Sequence, residues 1–289
     1  MAATLNQHLE EAIRQAAGAI AEADALLIGA GAGMGVDSGL PDFRGNDGFW
    51  KAYPPFHGRS FASVSNPIWF RDDPAQAWGF FGHRLNLYRD TTPHAGFAVL
   101  RRWAESRPSG YFVFTSNVDG HFARSGFNAD RILECHGSIH FAQCVRGCPR
   151  DSAVAWDSVP SIWPSDDIRI EVDMAHVRAT SPLPTCPRCG GFARPNVLMF
   201  GDDGWIPDRT AEQEERYSRW LKSVINKRVV AIEFGAGLAI PTVRYECEGR
   251  ADLLIRVNPR ESDTPRGGIS LACGALEAIQ RIDTFAESL

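Results

Sequence analysis

A doubly wound α/β fold, with a parallel sheet covered by helices on both faces, is what this chain of 289 residues predicts. Three observations carry the prediction. Short apolar runs alternate with helical patterns along most of the length, a glycine-rich turn follows the first run directly, and two stretches that lack this rhythm read as insertions into it.

The apolar runs are Ala25 to Ile28, Tyr111 to Phe114, Val229 to Phe234 and Leu253 to Val257, each bounded by Gly, Asn, Asp or Pro. Runs of this length suit strands buried on both faces. Between them, apolar residues recur at helical spacing. Leu5, Leu9, Ile13, Ala16, Ala17 and Ile20 predict an amphipathic helix over 5–23, and Phe97/Leu100/Trp103 and Tyr217/Trp220/Leu221/Val224 predict two more. Strands alternating with helices need crossover connections, which makes the sheet parallel.

Residues 46–91 are rich in Phe, Trp, Pro and Gly, with a helical part at Ala75 to Tyr88, and predict a helical flap. Residues 140–194 hold close-set cysteines and several prolines but few long apolar runs. Such a segment builds little core of its own, so a metal is its natural staple. The expected organisation is a Rossmann-like nucleotide domain of residues 1–45, 92–139 and 195–289, a helical flap of 46–91, and a small zinc module of 140–194. There is no internal repeat and no low-complexity linker.

Composition sets aside several classes. Hydrophobic content of 44% and charged content of 22% are those of an ordinary globular protein, which excludes disordered and fibrous chains. Thirty basic against thirty-five acidic residues give a net charge of -5, with no Lys/Arg block to neutralise a run of phosphates, so nucleic acid is not an expected partner. The run Ala25 to Ile28 is far too short to span a bilayer, and Glu10, Glu11, Glu22 and Asp24 before it argue against a signal or transit peptide; no membrane association is expected. Seven cysteines, four of them in two close pairs, read as metal binding in a reducing compartment, hence the cytoplasm.

The strand Ala25 to Ile28 runs into Gly29-Ala30-Gly31-Ala32-Gly33-Met34-Gly35. Glycines there let the backbone approach a pyrophosphate, with a helix N-terminus facing the charge. The spacing departs from G-x-G-x-x-G, so on its own it also fits a tight turn. Cys144 and Cys148 are separated by three residues and Cys186 and Cys189 by two, so each pair can supply two corners of a tetrahedral zinc site. Four thiolates leave no open coordination position, which makes the zinc structural; such sites contribute on the order of 10–16 kcal/mol. Cys135, Cys247 and Cys273 read as core thiols.

His136 follows the strand-like Ile132-Leu133 and precedes Gly137-Ser138. That is a loop position at a strand's carboxyl end, where open α/β sheets place ligands, and an imidazole there can take a proton near neutral pH. His121 and His140 have no such setting and read as structural. Asn117 and Asp119 alternate with Val118 beyond the strand Tyr111 to Phe114, and either project into one site or form a turn.

The segment from Gly31 to Gly45, GAGMGVDSGLPDFRG, closely resembles the NAD loop of sirtuins, whose pattern is GAG, then Ser, then GIPDFRG. Further matches follow in order. Thr115-Ser116-Asn117-Val118-Asp119-Gly120 resembles the family's TQNID segment, Cys135-His136-Gly137-Ser138 its catalytic His-Gly, and Arg194-Pro195 through Phe200-Gly201-Asp202 its RPxVVxFGE. Gly235-Ala236-Gly237-Leu238 and Val257-Asn258 fall where the family has later cofactor contacts.

The resemblance implies an NAD-dependent protein lysine deacylase with NAD as co-substrate and one structural zinc per chain. It implies His136 as general base for a ribose hydroxyl, and cofactor contacts from Gly31, Ala32, Gly33, Asp42, Phe43, Arg44, Ser116, Asn117, Asp119, Gly235, Gly237 and Asn258. Asp119 would hold the nicotinamide carboxamide, Asn117 the nicotinamide ribose or an ordered water, and Phe43 would shield the cleaved carbon. Val197 and Phe200 would face an acylated lysine of a protein or peptide.

Three positions depart from the pattern: Gly35 replaces the Ser after GAG, Ser116 the Gln before Asn, and Ala236 the usual Thr or Ser. Each loses or shortens a polar contact worth about 1 kcal/mol. Mono-ADP-ribosyl transfer, NAD hydrolysis and a non-catalytic NAD-sensing scaffold stay open as alternatives.

Trp78 to Arg84 resembles the segment where sirtuins that prefer acidic acyl groups carry a Tyr and, three residues on, an Arg; here the pair is Phe81 and Arg84. An arginine at this place on a helix is read as solvated or salt-bridged, so small neutral acyl groups such as acetyl are expected over succinyl, with Arg84 as the alternative carboxylate reader.

Overall fold

The computed structural model describes residues 2–41, 45–148 and 161–286. Strands β1 (Ala25–Ala30), β2 (Tyr111–Thr115) and β3 (Ile132–Glu134) open a six-stranded sheet. The next five, β4 (Gly137–Cys144), β5 (Ile162–Pro164), β6 (Val172–Asp173), β7 (Arg178–Ala179) and β8 (Ala193–Val197), lie outside it. Strands β9 (Val229–Phe234), β10 (Leu253–Val257) and β11 (Ile269–Leu271) return to it. The order is β11-β10-β9-β1-β2-β3, and every pairing is parallel.

Alternation along β1 explains the two layers. Leu26 and Ile28 face a cluster made with Ile13, Ile20, Phe97, Leu100, Ile279 and Ile282, from helices Ala2–Ala21, Gly96–Glu105 and Ala275–Ala286. Ala25 and Leu27 face Tyr217, Trp220 and Cys247 of helices Asp208–Ser223 and Thr242–Arg250. Period-two side chains on a sheet buried on both faces require this split. The expected helix over 5–23 forms two to three residues earlier, at Ala2–Ala21.

Charges inside β9 and β10 are matched across the ladder. Glu233 lies opposite Arg256, and both are buried; Arg256 Nε donates to Glu233 Oε1 at 2.7 Å and Nη2 to Glu248 Oε1 at 2.6 Å. Burying either charge alone would cost several kcal/mol, about 3–5 on removal of a partner.

The remaining strands form a second layer: an antiparallel sheet ordered β5-β4-β8 and the hairpin β6–β7. This layer shares one apolar cluster with the helices that precede it. Phe49, Tyr53, Phe56, Trp78, Phe80, Phe81 and Leu85 pack with Ile139, Ile170, Val177 and Val197. The helical part expected at Ala75 to Tyr88 is the helix Pro74–Asp90, opened by Pro at its first turn and by Asp73, whose Oδ1 accepts from Gln76 N at 3.2 Å.

The main sheet changes winding direction between β1 and β9, the place where doubly wound sheets open a ligand crevice at their carboxyl ends. Both strands end in glycine turns that press together there. Gly31 N donates to Phe234 O at 2.9 Å and Gly33 N to Gly235 O at 3.1 Å. A Cβ on Gly235, whose φ is +58°, would lie 2.3 Å from Gly33 Cα. Gly235→Ala is therefore expected to cost about 3 kcal/mol from left-handed strain and overpacking. Calorimetry should show a melting temperature lower by roughly 5–10 °C. An unchanged melt would mean that the turns separate freely.

Candidate active site

At the end of β1 the backbone turns into a 3-10 helix, Ala32–Ser38, closed by Gly39 at φ +91°. His94 holds this turn at two points. Its N–H donates to Ser38 Oγ at 2.9 Å, and its ring bonds Met34 O at 3.1 Å through Nε2. Gly96 N donates to the other ring nitrogen, Nδ1, at 3.1 Å, so Nε2 carries the hydrogen and the ring is neutral. Burial lowers the His94 pKa in the same sense. Sequence reasoning missed His94, because nothing in the order of residues shows which carbonyls an imidazole will meet. Gly35 is buried, and a Cβ there would stand 2.9 Å from Leu40 Cδ1, so the family's serine would need Leu40 to move. Asp42, Phe43 and Arg44 lie outside the described residues.

Beyond β2, Ser116 N donates to Ala30 O at 3.1 Å and Asn117 Nδ2 to Gly31 O at 2.9 Å, which ties this turn to the glycine turn. Asp119 is buried, and its Oδ1 accepts from His121 N at 2.9 Å. Burial pushes its carboxyl above the usual range, opposed by that N–H and by the charges of His140, Arg84 and Arg124. The structure thus brings Gly31, Gly33, Asn117 and Gly235 into one hydrogen-bonded group with Asp119 close by.

His136 sits past the end of β3, fixed by its main chain: Leu198 N donates to His136 O at 2.9 Å, and Cys135 N to Thr115 O at 2.9 Å. Gly137, at φ +75°, follows against Asn196 O. Burial lowers the imidazole pKa, with a main-chain hydrogen bond at Ser116 opposing it, so the ring is a neutral base at physiological pH. Asn258 is fully enclosed. It donates from Nδ2 to Ala236 O at 3.1 Å and accepts at Oδ1 from Arg260 N and Glu261 N, which shapes the second glycine turn. Gly237 lies beside the Glu261 carboxylate, which accepts from Leu238 N at 3.2 Å.

Val197 is buried in the second layer, whereas Phe200 is 37% exposed and meets the Phe61 ring edge-on at 6.0 Å. The loop between them is held by Arg194, whose Nη2 donates to Asp202 Oδ2 at 2.5 Å with both side chains buried. Arg84 corrects the sequence reading of a solvated side chain. It is 6% exposed, donates from Nε and Nη2 to Tyr88 Oη at 3.0 and 2.9 Å, and lies over the rings of Phe80 and Phe81.

Cys144, Cys148, Cys186 and Cys189 converge with all sulfurs within 4.8 Å of one another. Cys144 Sγ and Cys189 Sγ stand 3.7 Å apart, close to the roughly 3.8 Å edge of a tetrahedron with about 2.3 Å zinc–sulfur bonds. Burial raises the Cys144 and Cys148 thiols, and a bound dication would supply the charge that makes them thiolates. The residues fit a structural zinc. Cys247 and Cys273 are buried core thiols, as expected, and Cys135 is half-buried.

Two glycine turns at a winding reversal, a neutral histidine past the end of β3 and a four-cysteine module that fits a metal define a dinucleotide-handling α/β enzyme. The Sir2 family model matches residues 31–218. The chain belongs to that family. It is 32% identical over 192 residues to an NAD-dependent protein deacylase of Aeropyrum pernix, covering 66% of each chain. It is 27% identical over 281 residues to one of Thermus thermophilus, covering 94% of this chain and 93% of that one. A probable bifunctional ADP-ribose hydrolase/ADP-ribosyltransferase of Fusarium oxysporum f. sp. cubense is 27% identical over 248 residues, 40% of its length. Among solved structures, a Sir2 homologue bound to ADP ribose superposes with a TM-score of 0.66 at 23% identity, covering 95% of this chain and 96% of that chain.

Purified protein is expected to carry one zinc per chain by elemental analysis. Cys186→Ser should lose it together with protease resistance around the module, and metal-free protein with an intact module would refute the assignment.

Proposed function

We propose that the protein is an NAD-dependent protein lysine deacylase that releases nicotinamide and forms O-acyl-ADP-ribose. The observation that carries this reading is the gathering of His136, Asn117, Asp119 and both glycine turns at the carboxyl end of one parallel sheet. The division of labour follows: 1–45, 92–139 and 195–289 bind NAD, 46–91 form the flap, and 140–194 form the metal module. The substrate is an acylated lysine of a protein or peptide, passing Phe200 and Val197. The two close cysteine pairs, read as metal ligands, support a cytoplasmic setting. Among the described residues no helix is long and apolar enough to cross a membrane.

In this reading the acyl carbonyl oxygen bonds to the ribose carbon as the bond to nicotinamide breaks, and the bonding pair leaves with the ring and cancels its positive charge. His136 accepts the proton of a ribose hydroxyl, whose oxygen then attacks the acyl carbon; water completes release of free lysine. Asp119 orients the carboxamide of the departing nicotinamide. ADP-ribosyl transfer is the second reading, favoured by the name of the Fusarium relative, and differs only in the acceptor at the ribose carbon.

Nicotinamide release from NAD, followed with and without an acetyl-lysine peptide, tests the proposal. Deacylation predicts release that depends on the peptide. Release without it, or label appearing on protein, would favour the second reading. His136→Ala is expected to lower turnover by roughly a hundredfold to ten-thousandfold while NAD binding persists. Because burial lowers the His136 pKa, the base stays unprotonated further into acid than a free imidazole. The acid limb of kcat/KM should therefore fall below about pH 6.5. A limb above that value, or full activity in His136→Ala, would contradict the assignment.

Acyl choice follows from Arg84. With two of its donors on Tyr88 Oη, its guanidinium serves the flap, which supports small neutral acyl groups. Matched acetyl- and succinyl-lysine peptides should show a higher kcat/KM for acetyl, and Arg84→Met should leave the ratio nearly unchanged. A succinyl preference that collapses in Arg84→Met would identify Arg84 as a carboxylate reader instead.

A further inference from the structure

Strand β4 starts at the residue after His136 and does not pair regularly with β8: the register shifts between Ser138 and Ala142. Within that irregular stretch, Ile139 and His140 engage a different partner, the turn beyond β2. Ile139 N donates to Val118 O at 3.1 Å, and the His140 ring reaches Asp119 O through Nε2 at 2.8 Å. A carbonyl can only accept, so Nε2 carries the hydrogen whatever the charge on the ring. The imidazole also fills the space beside Gly120. That residue is left-handed at φ +69°, and a Cβ on it would lie 2.7 Å from His140 Cδ2. His140 is itself anchored, since Ser165 N donates to its carbonyl at 2.8 Å.

Asp119 is thus fixed from two sides: His121 N bonds its carboxylate and the His140 ring bonds its carbonyl. We propose that His140 is a positioning residue that holds the Asn117–Asp119 turn in the shape that receives the nicotinamide carboxamide. This rests on the reading of Asp119 given above. The strand that begins beside the general base therefore also sets the leaving-group pocket.

The test uses the full-length protein, nicotinamide inhibition of peptide deacetylation, and ADP-ribose affinity by calorimetry. Loss of one neutral hydrogen bond, worth about 1 kcal/mol, corresponds to about a fivefold change. In His140→Leu, nicotinamide inhibition should weaken by about fivefold or more, ADP-ribose affinity should stay within about twofold, and the midpoint of the pH profile should not move. His140→Gln, long enough to donate to the same carbonyl, should restore most of the loss, while the shorter His140→Asn should not. If the leucine variant does not fold, the Gln and Asn pair alone decides.

Unchanged nicotinamide inhibition in both His140→Leu and His140→Asn would overturn the proposal, as would equal losses of nicotinamide and ADP-ribose. Asp119→Ala separates this from failure of the underlying reading. If Asp119→Ala leaves nicotinamide inhibition intact, the pocket assignment falls and the proposal with it. If Asp119→Ala weakens inhibition but the His140 variants do not, only the role of His140 falls.

Discussion

Contact between two glycine turns at the β1/β9 junction is the constraint around which the molecule is arranged. Gly31 and Gly33 lie against Gly235 and Ala236 so closely that a methyl group on Gly31 would stand 2.7 Å from Ala236 Cα. The main-chain amides of one turn bond the carbonyls of the other. Backbone this tightly packed leaves no side chains between the crevice and the sheet, as a binding floor for a pyrophosphate needs. Neighbouring residues hold the floor in place: His94 grips the first turn at Met34 and Ser38, Asn258 the second at Ala236, and Asn117 joins the first to the strand beside it.

Around that floor, several buried charges are held by well-made hydrogen bonds. Glu233 meets Arg256, Arg194 meets Asp202, and Arg84 meets Tyr88. Each removes a charge from water at a cost that is offset only by well-made hydrogen bonds, so each fixes one arrangement of its neighbours. The second layer obeys a different rule. Its apolar cluster joins flap helices to β4, β8 and the β6–β7 hairpin, and the four cysteines hold the end where β4 and β8 run out of apolar side chains. His136 is carried on the strand connection between the two layers.

What the order of residues reveals follows from which interactions are local. Strands Val229–Phe234 and Leu253–Val257 are legible to the residue because each is an apolar run between breakers, interrupted by a single charge. The three-residue strands β3 and β11 are too short to display a period. The cysteine cluster is legible because only thiols at close spacing make such a site. Arg84 is not, since its partner Tyr88 is one turn away but the aromatic rings that enclose the pair come from residues as far off as Phe61. His94 and His140 act through main-chain carbonyls, and a carbonyl has no letter in the sequence.

The winding order has a consequence for synthesis. Ile28 pairs with Ile232, so the two halves of the binding floor are translated far apart. At about 5–20 residues per second, roughly 200 intervening residues take on the order of 10–40 s to emerge. Once β2 has emerged, and until β9 does, β1 can pair on one side only, and its other edge offers unpaired amides and apolar side chains to whatever is nearby. Closure of the central sheet is a late, non-local event of the kind that folds slowly. That edge stays open to pairing with other chains until β9 leaves the ribosome.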